Sequence, residues 1–205
     1  MKLDDTLSPL EVLAQVASAL PADVRGTVII IGSLAAGYHF FAGEGARAIR
    51  TKDVDCLFSP HSKAIAAAAD VTDRLIEADW KLREDPDWGR PGSAEDPEES
   101  LPMVRLRPPG ETTSPWFLEL LSAPPAFEPD AQSKKLRRVA TSIGHFAICS
   151  FDFLALAEWR PLETVHDVRI ARPEMMALAN LLHHPEIGHT LIAGTDYRRS
   201  NKDLG

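Results

Sequence analysis

The chain has 205 residues, 44% of them hydrophobic, which suits one main compact domain with a buried core. Its formal net charge of −8 argues against tight electrostatic binding of duplex nucleic acid. With only two cysteines and no apolar run of the roughly 20 residues that span a bilayer, the sequence predicts a cytoplasmic protein without a disulfide framework or membrane segment.

The first elements alternate between helix and strand. Ser8 followed by Pro9 and Glu11 is typical of a capped helix start and predicts a helix that ends near Leu20. The β-branched run at residues 27–31 has no polar alternation, which indicates a strand buried on both faces. Gly32 and Ser33 separate this strand from a second predicted helix.

A strand is predicted again at residues 50–58, and a helix follows Ser59 and Pro60. Because successive strand residues point to opposite faces, Val54, Cys56 and Phe58 can pack inward together. The same alternation leaves two carboxylates on the opposite face of the strand.

The second half of the chain predicts a short strand near residue 81, a hairpin of residues 103–107 and 116–122, and a strand at 145–150. Helices are predicted at residues 151–159 and from Pro173 onward. This order lacks the regular crossovers of a doubly wound sheet, so we expect an α/β (α+β) fold with a mixed sheet flanked by helices.

Two charged segments are interpreted as surface features. Residues 84–100 hold seven acidic residues against one arginine, are rich in Pro and Gly, and predict a mobile surface loop. The basic cluster at residues 133–138 predicts a solvated helix face, with contact to RNA or a phosphate as the alternative.

Asp53 and Asp55 are the first candidate site residues. Two residues apart on a strand, their Cα atoms lie about 6.5 to 7 Å apart and their side chains share a face. Such carboxylates repel, and each gains from a divalent cation between them, so the pair is a candidate Mg²⁺ site. The alternative is a solvated acidic pair at a strand end.

Glu119 is the third candidate, because it interrupts a stretch that is apolar on both sides. A buried charge without a partner costs several kcal/mol. A metal shared with Asp53 and Asp55 would compensate it. Two alternatives would also avoid an unpaired buried charge. Glu119 could face solvent on an edge strand, or it could pair with Arg105 or Arg107 on the neighbouring strand.

Gly32 and Ser33 are the candidate nucleotide-binding residues. Glycine lets the backbone approach a ligand closely, and the free N–H groups at a helix N-terminus favour phosphate oxygens. The Ser33 hydroxyl adds a donor. A plain helix cap is the alternative for the same two residues.

The order of these elements resembles the nucleotidyltransferase superfamily typified by DNA polymerase beta. The resemblance lies in "IIIGS" (29–33), "DVD" (53–55) and "FLEL" (117–120). "RTKDVD" (50–55) is most similar to the branch that includes the abortive-infection nucleotidyltransferase toxins of type IV toxin-antitoxin systems. The later residues 168–182 and 198–205 are similar to the helical segments that follow the sheet there.

The resemblance implies a nucleotidyltransferase fold and the transfer of a nucleoside monophosphate from an NTP to an acceptor hydroxyl on RNA, a protein or a small molecule. It implies two Mg²⁺ ions held by Asp53 and Asp55, with Glu119 completing the site that activates the acceptor. Gly32 and Ser33 would hold the triphosphate. A cognate antitoxin is implied as a partner.

We expect residues 1–150 to form the nucleotidyltransferase-like core and residues 151–205 a mainly helical extension packed on it. The alternative function is a catalytically silent module of the same fold that binds a partner or a nucleotide. Asn180 favours this alternative, since it stands where relatives often carry a lysine.

Overall fold

The structure is a computed structural model that describes residues 7–41, 49, 51–83, 90–110, 116–125, 134–187, 191 and 196. The helices are α1 (Pro9–Ala19), α2 (Ala22–Arg25), α3 (Gly32–Phe41), α4 (His61–Glu77) and α5 (Pro173–Ile187). Among the described residues, two 3₁₀ helices span Glu98–Ser100 and Asp152–Glu158. The strands are β1 (Val28–Ile31), β2 (Asp53–Phe58), β3 (Lys81–Leu82), β4 (Arg105–Arg107), β5 (Phe117–Ser122), β6 (Lys134–Thr141), β7 (Gly144–Phe151), β8 (Leu162–Glu163) and β9 (Arg169–Ile170).

The opening elements confirm the predictions from local sequence. The Ser8 hydroxyl accepts a hydrogen bond from the Glu11 backbone N–H at 3.4 Å, and Pro9 is the first helical residue of α1. All four residues of β1 are buried, as its unbroken apolar run predicted. The β4 and β5 strands pair antiparallel, as the predicted hairpin requires.

The strands form one mixed sheet, and the α/β class with flanking helices is confirmed at that level. The strand order is β3-β4-β5-β2-β1-β9-β8, with β7 joined to β5 and β6 to β7. The β2 strand runs antiparallel to β1 and parallel to β5. The C-terminal end of β1 therefore meets the N-terminal ends of β2 and β5 along one edge of the sheet.

Each face of the sheet has its own apolar core. The larger core contains Val54, Cys56 and Phe58 of β2, together with buried residues of α1 and α4. The smaller core contains Leu57 of β2 and Leu121 of β5, and it is covered by the 3₁₀ helix Asp152–Glu158 and by Met176 of α5. Alternation along β2 and β5 places Asp53, Asp55 and Glu119 on this second face, beyond its apolar part.

One prediction of secondary structure is wrong. The basic cluster that was interpreted as a helix face is the start of β6, which pairs antiparallel with β7 from Lys134 to Thr141. The cross-strand hydrogen bonds to β7 outweigh the helical propensity of lysine and arginine, because such residues also suit a solvated sheet edge.

The acidic segment is described by the structure in part. Residues 84–89 lie outside the described residues, whereas residues 90–100 contact the β6–β7 hairpin. The Gly92 N–H donates to the His145 carbonyl at 2.8 Å, and the His145 N–H returns a bond to Gly92. The described half is thus a docked loop, and a mobile loop is the wrong description of it.

Residues after 150 contribute strands as well as helices. The β9 strand pairs parallel with β1, and β8 pairs antiparallel with β9, so both extend the main sheet. Met176 of α5 packs against the smaller core. Among the described residues, no helix has the length and apolar character needed to cross a bilayer.

Candidate functional site

The corner between β1 and α3 lies against Asp55. Ile31, the last residue of β1, is the register partner of Asp55 on β2, and Gly32 follows with a φ of +70°. A Cβ atom at Gly32 would stand 2.8 Å from the Asp55 Oδ2 atom. Only glycine combines this backbone angle with this clearance, so the corner can approach the carboxylate closely.

The Asp53 carboxylate is positioned by its own strand. Both aspartates of β2 are half-buried, whereas Val54 between them is fully buried on the other face. The Thr51 hydroxyl donates to the Asp53 carbonyl at 2.8 Å and lies 3.1 Å from Asp53 Oδ1. These bonds restrict the Asp53 side chain near the start of β2. They give Thr51 a role in holding Asp53.

Glu119 is brought beside Asp55. The two residues are register partners on the parallel strands β2 and β5, so their Cα atoms lie about 4.8 Å apart and their side chains share a face. The edge-strand alternative is wrong, because β5 pairs with β2 on one side and with β4 on the other. Sequence reasoning therefore located all three carboxylates on one face.

Glu119 also has a basic partner. Its Oε2 atom accepts a hydrogen bond from the Arg105 Nε atom at 2.7 Å, with the two side chains only 15% and 13% exposed. Arg105 is the register partner of Glu119 on β4. The sequence left several possible partners for Glu119, and in the structure its partner is Arg105.

Arginine and aromatic side chains continue the same face away from the aspartates. The Arg83 guanidinium lies 4.1 Å from the centre of the Phe117 ring, and the Arg105 guanidinium lies 5.7 Å from it. Phe117 is the register partner of Asp53. The face thus changes from carboxylates on β2 to guanidinium groups on β4 and directly after β3.

Cys56 lies under the aspartates on the buried face of β2. Burial raises the pKa of its thiol well above the usual range, and the negative charge of Asp55 raises that pKa further. The thiol is therefore neutral at physiological pH. It adds no negative charge beneath the site and, as a protonated thiol, is not a metal ligand.

The carboxylates share a face without forming a closed ligand cluster. In the part of the chain that the structure describes, no three His, Cys, Asp or Glu side chains are arranged to hold a metal ion. Asp53 and Asp55 have the chemistry that Mg²⁺ prefers. Glu119 could join them as a ligand, although its Oε2 atom already accepts the hydrogen bond from Arg105.

Comparison of this chain with models of protein families, with curated proteins and with solved structures finds no match. The nucleotidyltransferase resemblance stays a prediction.

Proposed function

We propose that the chain is a Mg²⁺-dependent nucleotidyltransferase that transfers a nucleoside monophosphate from an NTP to an acceptor hydroxyl on RNA, a protein or a small molecule. The single observation that carries the proposal is the convergence of the Gly32 corner, the aspartates of β2 and Glu119 at one edge of one sheet face. These residues are separated by up to 87 positions in the sequence, so their meeting does not follow from local order.

The residues of this face fit the reaction in distinct ways. Asp53 and Asp55 would hold the metal ions, which neutralise the triphosphate and stabilise the attacking and leaving oxygens when bound. The N-terminus of the ten-residue helix α3 presents backbone N–H groups and the exposed Ser33 hydroxyl, which would bind phosphate oxygens. Glu119 would complete the metal site that activates the acceptor hydroxyl, and pyrophosphate would leave as the nucleoside monophosphate is transferred.

A second candidate is a catalytically silent protein of the same architecture that binds a nucleotide or a partner. The Arg105–Glu119 ion pair favours it, because that pair already neutralises the third carboxylate without a metal ion.

The toxin role and the cognate antitoxin are supported by the sequence resemblance alone. A cytoplasmic location belongs to the same proposal and agrees with Cys56 and Cys149 being buried thiols that form no disulfide.

The test is label transfer from each NTP to lysate acceptors with Mg²⁺, together with thermal unfolding in the presence of Mg²⁺ and nucleotide. We expect Asp55→Asn to lower label transfer on the order of 10²-fold or more, as for other groups that stabilise transition-state charge. It should also abolish the Mg²⁺-dependent rise in melting temperature.

Asp70→Asn is the matched control, because Asp70 lies on the surface of α4 in an exposed pair with Arg74. We expect both readouts to match those of the wild type. If the wild type is stabilised by no NTP with Mg²⁺ and labels no acceptor, the enzymatic proposal fails. Nucleotide binding that survives Asp55→Asn, without label transfer, would favour the silent module.

A further inference from the structure

Glu119 occupies a strand position between two opposite charges. On β5 it has the Asp55 carboxylate on its β2 side and the Arg105 guanidinium on its β4 side, each in direct register. The described side-chain bond goes to Arg105, at 2.7 Å. The Glu119 carboxylate thus lies between the aspartates of β2 and the arginine of β4.

We propose that Arg105 is an internal counter-ion that competes with Mg²⁺ for Glu119, and so sets the metal affinity of the site. The inference rests on the proposed function, since it assigns a regulator to the same site. Because Glu119 and Arg105 are only 15% and 13% exposed, water screens their attraction weakly. A cation that takes Glu119 as a ligand would therefore compete with the guanidinium for the single negative charge of that carboxylate.

A guanidinium released from Glu119 would remain on the same face, close to where it already lies. The Phe117 ring lies 5.7 Å from Arg105 and already carries Arg83 at 4.1 Å, so this part of the face accommodates arginine groups. A guanidinium there would lie beside the aspartates and could donate two parallel hydrogen bonds to a phosphate. Metal entry would release Arg105 from Glu119 and make it available to the triphosphate.

This exchange predicts two effects of opposite sign for Arg105→Gln. Without nucleotide, the variant should bind Mg²⁺ about tenfold more tightly, because one positive charge that competes for Glu119 is gone. At saturating Mg²⁺ it should bind an NTP about tenfold more weakly, because a phosphate donor is lost. A residue that only supports the fold would move both affinities in the same direction.

The control is Arg74→Gln, which removes an exposed guanidinium of α4 that pairs with Asp70. Its Mg²⁺ affinity should stay within about twofold of the wild type. The double variant Arg105→Gln with Glu119→Gln should lose the gain in Mg²⁺ affinity. Isothermal titration with Mg²⁺ alone, and then with each Mg²⁺–NTP complex, supplies these measurements.

A measurement on the wild type removes the dependence on variant folding. In ¹⁵N-arginine NMR, the Arg105 Nε–H should be protected from solvent exchange without metal and lose this protection as Mg²⁺ is added. Protection that persists at saturating Mg²⁺ would overturn the inference, as would an Arg105→Gln variant with unchanged or weaker Mg²⁺ affinity. If the wild type binds Mg²⁺–NTP through Asp55 while either of these results is found, the counter-ion role fails and the proposed function stands. If neither the wild type nor Arg105→Gln binds Mg²⁺, alone or as a Mg²⁺–NTP complex, and no acceptor is labelled, both fail.

Discussion

Gly32 is the residue on which the approach of the α3 corner to Asp55 depends most directly. Its φ of +70° lies in the left-handed region, and an added Cβ would meet Asp55 Oδ2 at 2.8 Å. We expect Gly32→Ala to lower the free energy of unfolding by about 1 to 3 kcal/mol, from backbone strain and the displaced carboxylate. Urea denaturation measures this loss, and the nucleotide-dependent rise in melting temperature should shrink in parallel.

Gly26→Ala is the control for this prediction. Gly26 has a φ of −64°, and no atom lies within 4 Å of where its Cβ would stand. Alanine there should leave stability unchanged or raise it by about 0.4 to 1 kcal/mol. Equal effects of the two substitutions would show that the left-handed corner has no special role.

At the scale of elements, β6 holds the described part of the acidic segment through Arg138. The Arg138 Nη1 atom donates to the Ser93 carbonyl at 2.8 Å, its Nη2 atom donates to the Asp96 carbonyl, and its backbone N–H donates to Glu98 Oε1 at 3.1 Å. Within the loop, hydrogen bonds from the Ser93 backbone N–H and hydroxyl lower the pKa of Asp96. One arginine thus connects a strand to most of residues 93–98.

We expect Arg138→Met to detach this loop while the sheet remains folded. Each lost side-chain bond contributes about 0.5 to 1.5 kcal/mol, so local opening should become roughly ten- to a hundredfold more frequent. Hydrogen exchange at the Gly92 amide measures this opening. Arg137→Met is the control, since the Arg137 side-chain bond described here goes only to the neighbouring Leu136 carbonyl. Unchanged protection in Arg138→Met would contradict the role of the arginine.

Elements whose stability is local were predictable from the sequence, and those that depend on distant partners were not. A few consecutive residues are enough to recognise the Ser8 cap, the buried run of β1 and the alternation of β2. The β6 strand does not, because pairing with β7 decides its conformation.

The same division applies to the candidate site. Alternation placed Asp53 and Asp55 on one face, whereas the choice between a metal and Arg105 for Glu119 depends on the register across the β4–β5 hairpin. Residues 111–115 of that hairpin lie outside the described residues. The sequence offered no periodic signal that fixes which arginine of β4 faces Glu119.

At the scale of the whole molecule, the smaller core depends on residues far along the chain. Ile29, Ile31, Leu57 and Leu121 pack there against Leu154, Ala157 and Ala171. In addition, β1 has β9 as its parallel neighbour. The predicted boundary at residue 150 therefore passes between a sheet face and the elements that cover it.

We expect a chain ending at residue 150 to lose cooperative unfolding. Four large aliphatic side chains would become exposed, at about 1.5 to 3 kcal/mol each, which is comparable with the whole stability of a typical domain. Near-UV circular dichroism and binding of a hydrophobic dye measure the loss of packing. A chain ending at residue 196 keeps every described residue and should unfold in one transition. A sharp transition of similar midpoint in the shorter chain would establish residues 1–150 as an independent unit.

Among the described residues, the long strand β6 pairs with no strand other than β7, so its other side is a sheet border, which the docked residues 93–98 cover at Arg138. Four of the eight residues of β6 are lysine or arginine. The Glu98 carboxylate accepts a hydrogen bond from the Arg138 backbone N–H on that strand. Like charges along such a border repel the same strand of a second molecule and so discourage aggregation by strand addition. That protection is ionic, so it fades as added electrolyte shortens the screening length from about 10 Å at 0.1 M to about 3 Å at 1 M.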